Sequence, residues 1–503
     1  MNRANDGFDW RMSDSLEMPG LRLVRWTLMA AVAAAAGCAQ YEPMALNTQT
    51  VEQRLKVPPA DQLQVEANQI RHPLLRPVQI GDGRGLTPDQ AAVLAVLLNP
   101  ALRTLRDQRV AAAAQAMSAG ILPNPQLTFS EDFPNGGTDA HTLNAFGLGV
   151  NWDVTALITR DAKINAAAAN RASVDLDIAW QEWQVAQAAK TAVYDLLALQ
   201  GQLDEAREVD RTLTENARVV RDAVNRNEKT VLDLAAAQAA SDDAHTAALQ
   251  AERDVNHQRL ALLRAIGLPP DAQVRLSPDL ALPSRLAIPS RQDLLSGLED
   301  RRLDLVALRK GYQSQEETLR AAVLAQFPKI NIGFNKARDN TNVHSLGFGI
   351  TVDLPIFDQN QGVIAAEKAT RQRLFDEYAQ RVYEANSDVA TALDDIDAIQ
   401  IQIDAGEASV LSLQRLVDTY RSALQRGNVD VLSYYTAVGN LEQKRSAVLK
   451  LKQQLIENQI ALELATGEYL QAPQTQSTTR AATPRAATPS AATSRAATTE
   501  ESR

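Results

Sequence analysis

Hydrophobic positions along the chain follow two periods that succeed one another in a fixed order. Leu346, Phe348, Ile350 and Val352 fall on one side of an extended segment, with Gly347, Gly349 and Thr351 on the other. A period of two predicts a β-strand with one bulky apolar face and one small, polar face. Pro355 then ends the ladder, because it has no N–H to donate. From Val363 the pattern becomes an Ala-rich helix that continues for dozens of residues. The same succession occurs earlier, where Phe146, Leu148, Val150 and Trp152 alternate with Gly147, Gly149 and Asn151 and a long helix follows. Each strand has an upstream mate: Gln126–Ser130, carrying Leu127 and Phe129, and a run in which Ile330, Ile332 and Phe334 alternate with Asn331, Gly333 and Asn335. Pro134-Asn135-Gly136-Gly137 marks the turn of the first pair. The pattern predicts two hairpins and four strands.

The two halves are copies. Gly147 matches Gly347, Asp153 matches Asp353, Asn227 matches Gly427 and Gly267 matches Gly467, each pair 200 apart (347 − 147, and so on). Upstream the difference is 203: Leu105–Arg106 matches Leu308–Arg309, and Pro125–Gln126 matches Pro328–Lys329. A loop between paired strands absorbs the change, so the chain is a tandem duplication. Residues 86–267 form the first repeat, 290–470 the second, and the Pro-rich stretch 268–289 the linker, a candidate belt around the helices.

Each repeat opens with a short helix. Thr87 caps one that has Pro88 at its first position, running from Ala91 to Gly120 with a dent at Pro100. Leu157–Arg226 reads as one helical stretch, roughly 100 Å long at 1.5 Å per residue. Leu213, Ala217, Val220 and Val224 repeat at coiled-coil spacing, echoed by Leu413, Val417, Tyr420 and Leu424. Return helices Val231–Ile266 and Val431–Thr466 end at Gly267 and Gly467, suited to the position just past a helix end. Each half is thus a long helical hairpin turning near Asn227 or Gly427.

The bulky strand face is either the core of a soluble sandwich or a surface against lipid. Four short strands bury little by themselves, and no other β-element is predicted to pack on them. In a membrane barrel the bulky face meets acyl chains and the small face lines water. The lipid-facing set is then Leu127, Phe129, Phe146, Leu148, Val150, Trp152, Ile330, Ile332, Phe334, Leu346, Phe348, Ile350 and Val352, with Phe146 and Trp152 near the two interfaces. Glycines on the inner face leave the bore open. Four strands cannot close a barrel and an open edge is not tolerated in lipid, so several chains must contribute. Two would give eight strands and a filled bore; three would give twelve, with room for a channel. No run approaches the roughly 20 apolar residues of a membrane helix.

Composition narrows the remainder. A net charge of −10 disfavours nucleic acid as a partner. Five scattered histidines and a single cysteine exclude an intrachain disulfide and offer no soft-metal site, so a metal cargo would be selected elsewhere. No Walker loop, GxSxG, His-Glu-x-x-His or CxxC occurs, and Asp242–Asp243 and Asp394–Asp395 fall in amphipathic helices. Neither an enzyme nor a cofactor is expected. Arg22 and Arg25, the apolar run Trp26–Ala36 and Ala35-Ala36-Gly37-Cys38 read as a signal peptide over 1–37 ending in a lipobox. Cys38 becomes the acylated first residue, the alternative being an ordinary export signal with an incidental cysteine. Met18 is the start that this geometry favours. Residues 38–85 read as a lipid-anchored extended segment along the body, or as a flexible tether. The Ala/Thr/Pro/Ser/Arg repeats of 471–503 cannot bury a core and read as disordered.

Three motifs carry a family resemblance: Leu122-Pro123-Asn124-Pro125 before the first strand, Leu354-Pro355-Ile356-Phe357-Asp358 with Gly362 after the last, and Arg426-Gly427 at a helix turn. With the duplicated order of helix, hairpin and two long helices, the chain from about Leu86 to Leu470 resembles the TolC-like outer-membrane efflux proteins. It looks most like the lipoprotein subfamily serving heavy-metal and multidrug RND pumps. The resemblance implies a mainly α fold with a small transmembrane β part. In it, tandem-duplicated helical hairpins form a trimeric α-barrel, and four strands per chain contribute to a twelve-stranded β-barrel. It implies an exit duct in the outer membrane, its helices in the periplasm, partnered by a periplasmic adaptor and an inner-membrane RND transporter. Arg226, Asn227, Lys229, Asp233, Arg426, Gly427, Asn428 and Asp430 then lie at the tip that closes and meets the adaptor. Ser433 and Thr436 stand where pore-facing carboxylates are common, with Asp430 as a substitute. A periplasmic coiled-coil scaffold lipoprotein and the duct of a type I secretion system are the alternatives.

Overall fold

The computed structural model of the protein describes residues 41–470 apart from 82, 137–141 and 427–428. The signal peptide, Cys38, Gly427, Asn428 and the tail beyond 470 lie outside the described residues. The chain divides into a unit ending at Lys56 and a second beginning at Val57. The first holds α1 (Thr48–Leu55); the second begins with α2 (Ala60–Gln69). The expectation of extended chain here is corrected. Asn47 and Thr50 form a reciprocal capping box that starts α1, and α2 buries Leu63 and Ala67, one turn apart. Each helix is too short for a period to show in the sequence.

The repeats follow the predicted order. The first contains α3 (Pro88–Leu98), α4 (Pro100–Ala119), β1 (Gln126–Asp132), β2 (Ala145–Asp153), α5 (Ala156–Asn225) and α6 (Val231–Ile266). After the linker come the short α7 (Arg291–Leu295) and α8 (Leu298–Arg301), then α9 (Leu303–Leu324), β3 (Lys329–Arg338), β4 (His344–Asp353), α10 (Gln361–Gln425) and α11 (Val431–Thr466). Pro100 does more than dent the first helix. Asn99 leaves helical geometry, its side chain caps the Ala101 N–H at 2.9 Å, and Pro100 starts a second helix.

Long-range ties preserve the duplication. Gly267 and Gly467 both end their helices in the left-handed region, and a β-carbon would meet Asn99 at one and Arg302 at the other. Those two neighbours are themselves 203 apart (302 − 99). The Asn99 amide donates to the Ala265 carbonyl at 3.0 Å and the Arg302 guanidinium to that of Ala465 at 3.2 Å. The linker crosses from one repeat to the other. Leu86 pairs with Leu276 in a parallel bridge, and farther on the Leu286 N–H donates to Gln400 of α10.

The helices pack along matching stripes. Ala189, Val193 and Leu196 of α5 meet α3 and the end of α6, while Val389, Ala392 and Ile396 of α10 meet α9 and the end of α11. A third cluster lies near the hairpin turns, where Leu213, Val220, Ala237, Val417, Val431 and Tyr434 join all four long helices. The repeats meet where α5 packs on α9 and, along a second seam, on α11. There Lys190 pairs with Glu463 at 2.7 Å, the side chains 7% and 1% exposed, and Gln187 donates to the same carboxylate at 2.9 Å. Lys190 also lies 4.3 Å from the centroid of the Tyr469 ring, whose hydroxyl donates to Asp89.

A buried pair is costly to break and far less costly to replace whole. Lys190→Met strands the Glu463 carboxylate and is expected to destabilise by about 3–5 kcal/mol, whereas Lys190→Met with Glu463→Leu should recover most of that. Thermal unfolding of the detergent-solubilised variants measures both, and an unchanged melting temperature for the single variant would contradict the assignment.

Candidate functional site: the open sheet and the helix tips

The four strands form one antiparallel sheet in the order β1-β2-β3-β4, and β2 paired with β3 joins the repeats. Register sets the two faces. Leu127, Val150, Phe334 and Phe348 lie in one row across the sheet, flanked by rows holding Phe129, Leu148 and Leu346 and holding Trp152, Ile332 and Ile350. Phe334 and Phe348 are in ring contact at 5.1 Å. The face stands open: Leu127 is 71% exposed and Leu346 84%. Phe146, Trp152, Ile330 and Ile332 share it but are half-buried. Trp152, expected as an interfacial aromatic, spends its indole N–H on the Pro123 carbonyl at 2.8 Å. The opposite face carries Thr128, Gly149, Asn335 and Gly347 in one row and Gln126, Asn151, Gly333 and Gly349 in the next. The glycines do more than leave space. A β-carbon at Gly333 would strike the Asn151 amide and one at Gly347 the Asn335 amide, so each asparagine folds over the glycine of the neighbouring strand. Among the described residues β1 and β4 have no partner on their outer edges.

Strand and helix are joined rigidly. Thr155, at the start of α5, receives a hydrogen bond from the Ile330 N–H of β3 at 2.6 Å, and its own N–H donates to Asp153 at 2.8 Å. Arg160 reaches back to the Gly120 carbonyl, and its counterpart Asn360 (160 + 200) does the same to Ala322 at 2.8 Å. The 70 residues of α5 then carry the chain roughly 100 Å, at 1.5 Å per residue, to the opposite end.

At that end the turn from α5 to α6 places Asn227 in the left-handed region with φ 60°. Arg226 and Glu228 form a two-pronged ion pair, both contacts 3.0 Å. Thr230 and Asp233 make a capping box: the Asp233 N–H donates to the Thr230 hydroxyl at 3.1 Å, and the Thr230 N–H and hydroxyl donate to the Asp233 carboxylate at 3.0 and 2.8 Å. The second repeat keeps the two positions and exchanges the chemistry. Asp430 caps α11, accepting from the Ser433 N–H at 2.8 Å and the Ser433 hydroxyl at 2.7 Å. Both carboxylates are held below the usual aspartate range, Asp233 chiefly by the Thr230 N–H and Asp430 chiefly by the Ser433 hydroxyl. Asp430 also lies near enough to Asp233 to oppose its ionisation, so the structure brings the two caps together. Lys229 is half-buried and Arg426 exposed.

Residues 294–468 match the sequence model of the family described as outer membrane efflux protein. The match spans nearly the whole of the second repeat. The cation efflux system protein CusC of Escherichia coli O157:H7 is 27% identical over 222 residues, which cover 42% of this chain and 47% of that protein. The chain thus aligns with about half the length of this curated relative. Among solved structures, CusC superposes with a TM-score of 0.64 at 21% identity, covering 77% of this chain and 94% of its own. The outer membrane protein VceC of Vibrio cholerae gives 0.64 at 16% identity, covering 76% and 96%. The outer-membrane channel OprN gives 0.66 at 15%, covering 76% and 90%. The fold of both repeats is therefore that of outer-membrane efflux channels.

Within that fold the structure gives Asp233 and Asp430 a local task, helix capping, that sequence reading did not assign. The signal was present, since Thr230-x-x-Asp233 and Asp430-x-x-Ser433 are N-terminal cap patterns. Glu228 as the mate of Arg226 was also missed. Because both pKa values are lowered on folding, the caps contribute fully at and above the unfolded aspartate pKa and are lost only as pH falls through the lowered values. Hydrogen exchange over residues 229–236, corrected for intrinsic rate, should therefore be the same at pH 7 and pH 5. A loss of protection at pH 5 would contradict the capping geometry.

Proposed function

We propose that the chain is one protomer of a trimeric outer-membrane exit duct that passively conducts substrates delivered by a periplasmic adaptor and an inner-membrane RND-type pump. The observation that carries the reading is the sheet. Its bulky face is open and, among the described residues, its two edges are unpaired. In water that combination invites aggregation, and in a bilayer it requires closure with other copies. Twelve strands from three copies make a barrel with an open bore, lined by the Asn–Gly face. The family match and the likeness to efflux channels support the same reading.

The helical hairpins then extend into the periplasm. Their turns, with Arg226, Asn227, Lys229, Asp233, Arg426, Gly427, Asn428 and Asp430, form the end that the adaptor meets. Asp233 and Asp430, three pairs in a trimer, place a ring of carboxylates there beside the caps they make. Substrate choice is assigned to the pump, and Cys38 to the acylated N-terminus that anchors the chain.

Two measurements test the duct. The purified protein should run as a trimer in detergent and give discrete ion conductance in planar bilayers; a water-soluble monomer without conductance would overturn the proposal. Mass spectrometry of the mature N-terminus should find a lipid-modified residue 38, and an unmodified residue there would remove the anchor.

A further inference from the structure

The bulky face of the sheet changes character along its height. Its rows are two residues apart, roughly 7 Å at about 3.4 Å per residue. The row nearest the helices holds Ile330 and Val352, and the next two rows carry no charge. Farther out, Lys336 stands between Leu148 and Leu346, and Arg338 stands in the last row between Phe146 and His344. From Val352 to His344 (352 − 344) the face rises roughly 27 Å, close to the apolar band of about 25 Å that a membrane barrel presents. The cations therefore occupy one rim only, the rim away from the helices. At the helix end the positions that continue the same alternation, Val154, Pro328 and Leu354, are uncharged.

The neighbouring acids do not answer these cations. Lys336 is exposed, and among the described residues no carboxylate pairs with it. Arg338 is half-buried: it donates to the Asn144 carbonyl at 2.8 Å and lies 5.1 Å from the centroid of the Phe146 ring. Its Nε is shielded from water and has no acceptor among the described residues. The Asp339 carboxylate, which His344 approaches, already accepts from the N–H groups of Thr341 and Val343 at 2.8 and 2.9 Å. Glu131, at the far side of the last row, accepts from the Asn144 amide at 3.2 Å. Because β3 lies between β2 and β4, both cations are flanked entirely by this chain's own strands.

We propose that Lys336 and Arg338 bind the headgroup phosphate of a glycolipid in the leaflet that faces away from the helices. In an outer membrane that leaflet is built of phosphorylated glycolipid, and a cationic rim on one side only complements it. An outward Lys or Arg is costly at the midplane of a bilayer and tolerated near its surface. Lys336 meets that condition by laying its stem along Leu148 and Leu346 and lifting its ammonium group to the rim. Arg338 offers a planar fork matched to phosphate oxygens, and Lys336 adds a point charge beside it. The bulky rows below seat the acyl chains. This rests on the duct reading, which turns the bulky face to lipid and the helices to the periplasm.

Native mass spectrometry of the full chain, purified in detergent and mixed with bisphosphorylated lipid A, tests the site. The parent should carry lipid A adducts, and the dephosphorylated lipid should give few. Lys336→Gln and Arg338→Gln should each lower the adduct about fivefold, and the two together should lower it further. The charge-conserving Arg338→Lys should keep most of it, and Lys329→Gln, on the opposite face of the sheet, should keep all of it. Undiminished adducts in an oligomeric double variant, an equal loss in Lys329→Gln, or displacement of the lipid by excess inorganic phosphate would overturn the site while the duct reading stands. A parent that is oligomeric and conducting but takes up no lipid A would do the same. If the parent and every variant are water-soluble monomers without lipid, the duct reading falls with it.

Discussion

The backbone polar groups along the outer edges of β1 and β4 govern what this molecule can be. Every N–H and C=O in a hydrocarbon layer needs a partner, and among the described residues the sheet leaves both edges without one. The outward side chains sharpen the demand, because a face bearing Leu127, Phe334, Phe348 and Leu346 is poorly suited to water. In the proposed duct, copies of the same sheet supply both the missing strands and a continuous apolar surface. Among the described residues, no other strand does so.

That demand is transmitted to the helices, since strand and helix are not hinged. Thr155 ties the start of α5 to β3, and Arg160 and Asn360 tie each long helix to the short helix of its own repeat. In the proposed duct, an operation that closes the barrel therefore also sets the long helices around the same axis. The helix tips, about 100 Å away, follow from the same operation, so barrel closure and tip arrangement are consequences of one symmetry.

The duplication preserves backbone geometry more strictly than side-chain chemistry. Asn99 and Arg302 satisfy matching carbonyls with an amide and a guanidinium. Thr230 with Asp233, and Asp430 with Ser433, form matching caps with the acid moved by three residues. The buried pair of Lys190 and Glu463 has no ionic counterpart, because positions 390 and 263 are Ala and Leu. The backbone task recurs in each repeat, but each seam meets a different neighbour. The side chains are free to diverge wherever that neighbour differs.

Features fixed by short-range chemistry were legible in the sequence. The two periods, the cap at Thr87, Pro88 at a helix start, the return helices ending at Gly267 and Gly467, and the alternation that sorts Leu148 from Gly149 all depend on residues within a few positions of each other. The 200-residue offset extended that legibility to the topology, because copies of one unit fold alike. What the sequence left open depended on partners far along the chain. Asn151 covers Gly333 and Asn335 covers Gly347 only once the register is set. The interfacial reading of Trp152 did not foresee its bond to Pro123. Pro100 had two outcomes, a kink or a new helix, and the capture of Ala265 by Asn99 in the tertiary structure accompanies the second. Helices α1 and α2 are too brief for a period to rise above chance. Local sequence determined which elements form and which way their faces point; tertiary packing alone decided which polar group answers which, because that pairing is set by distance in space.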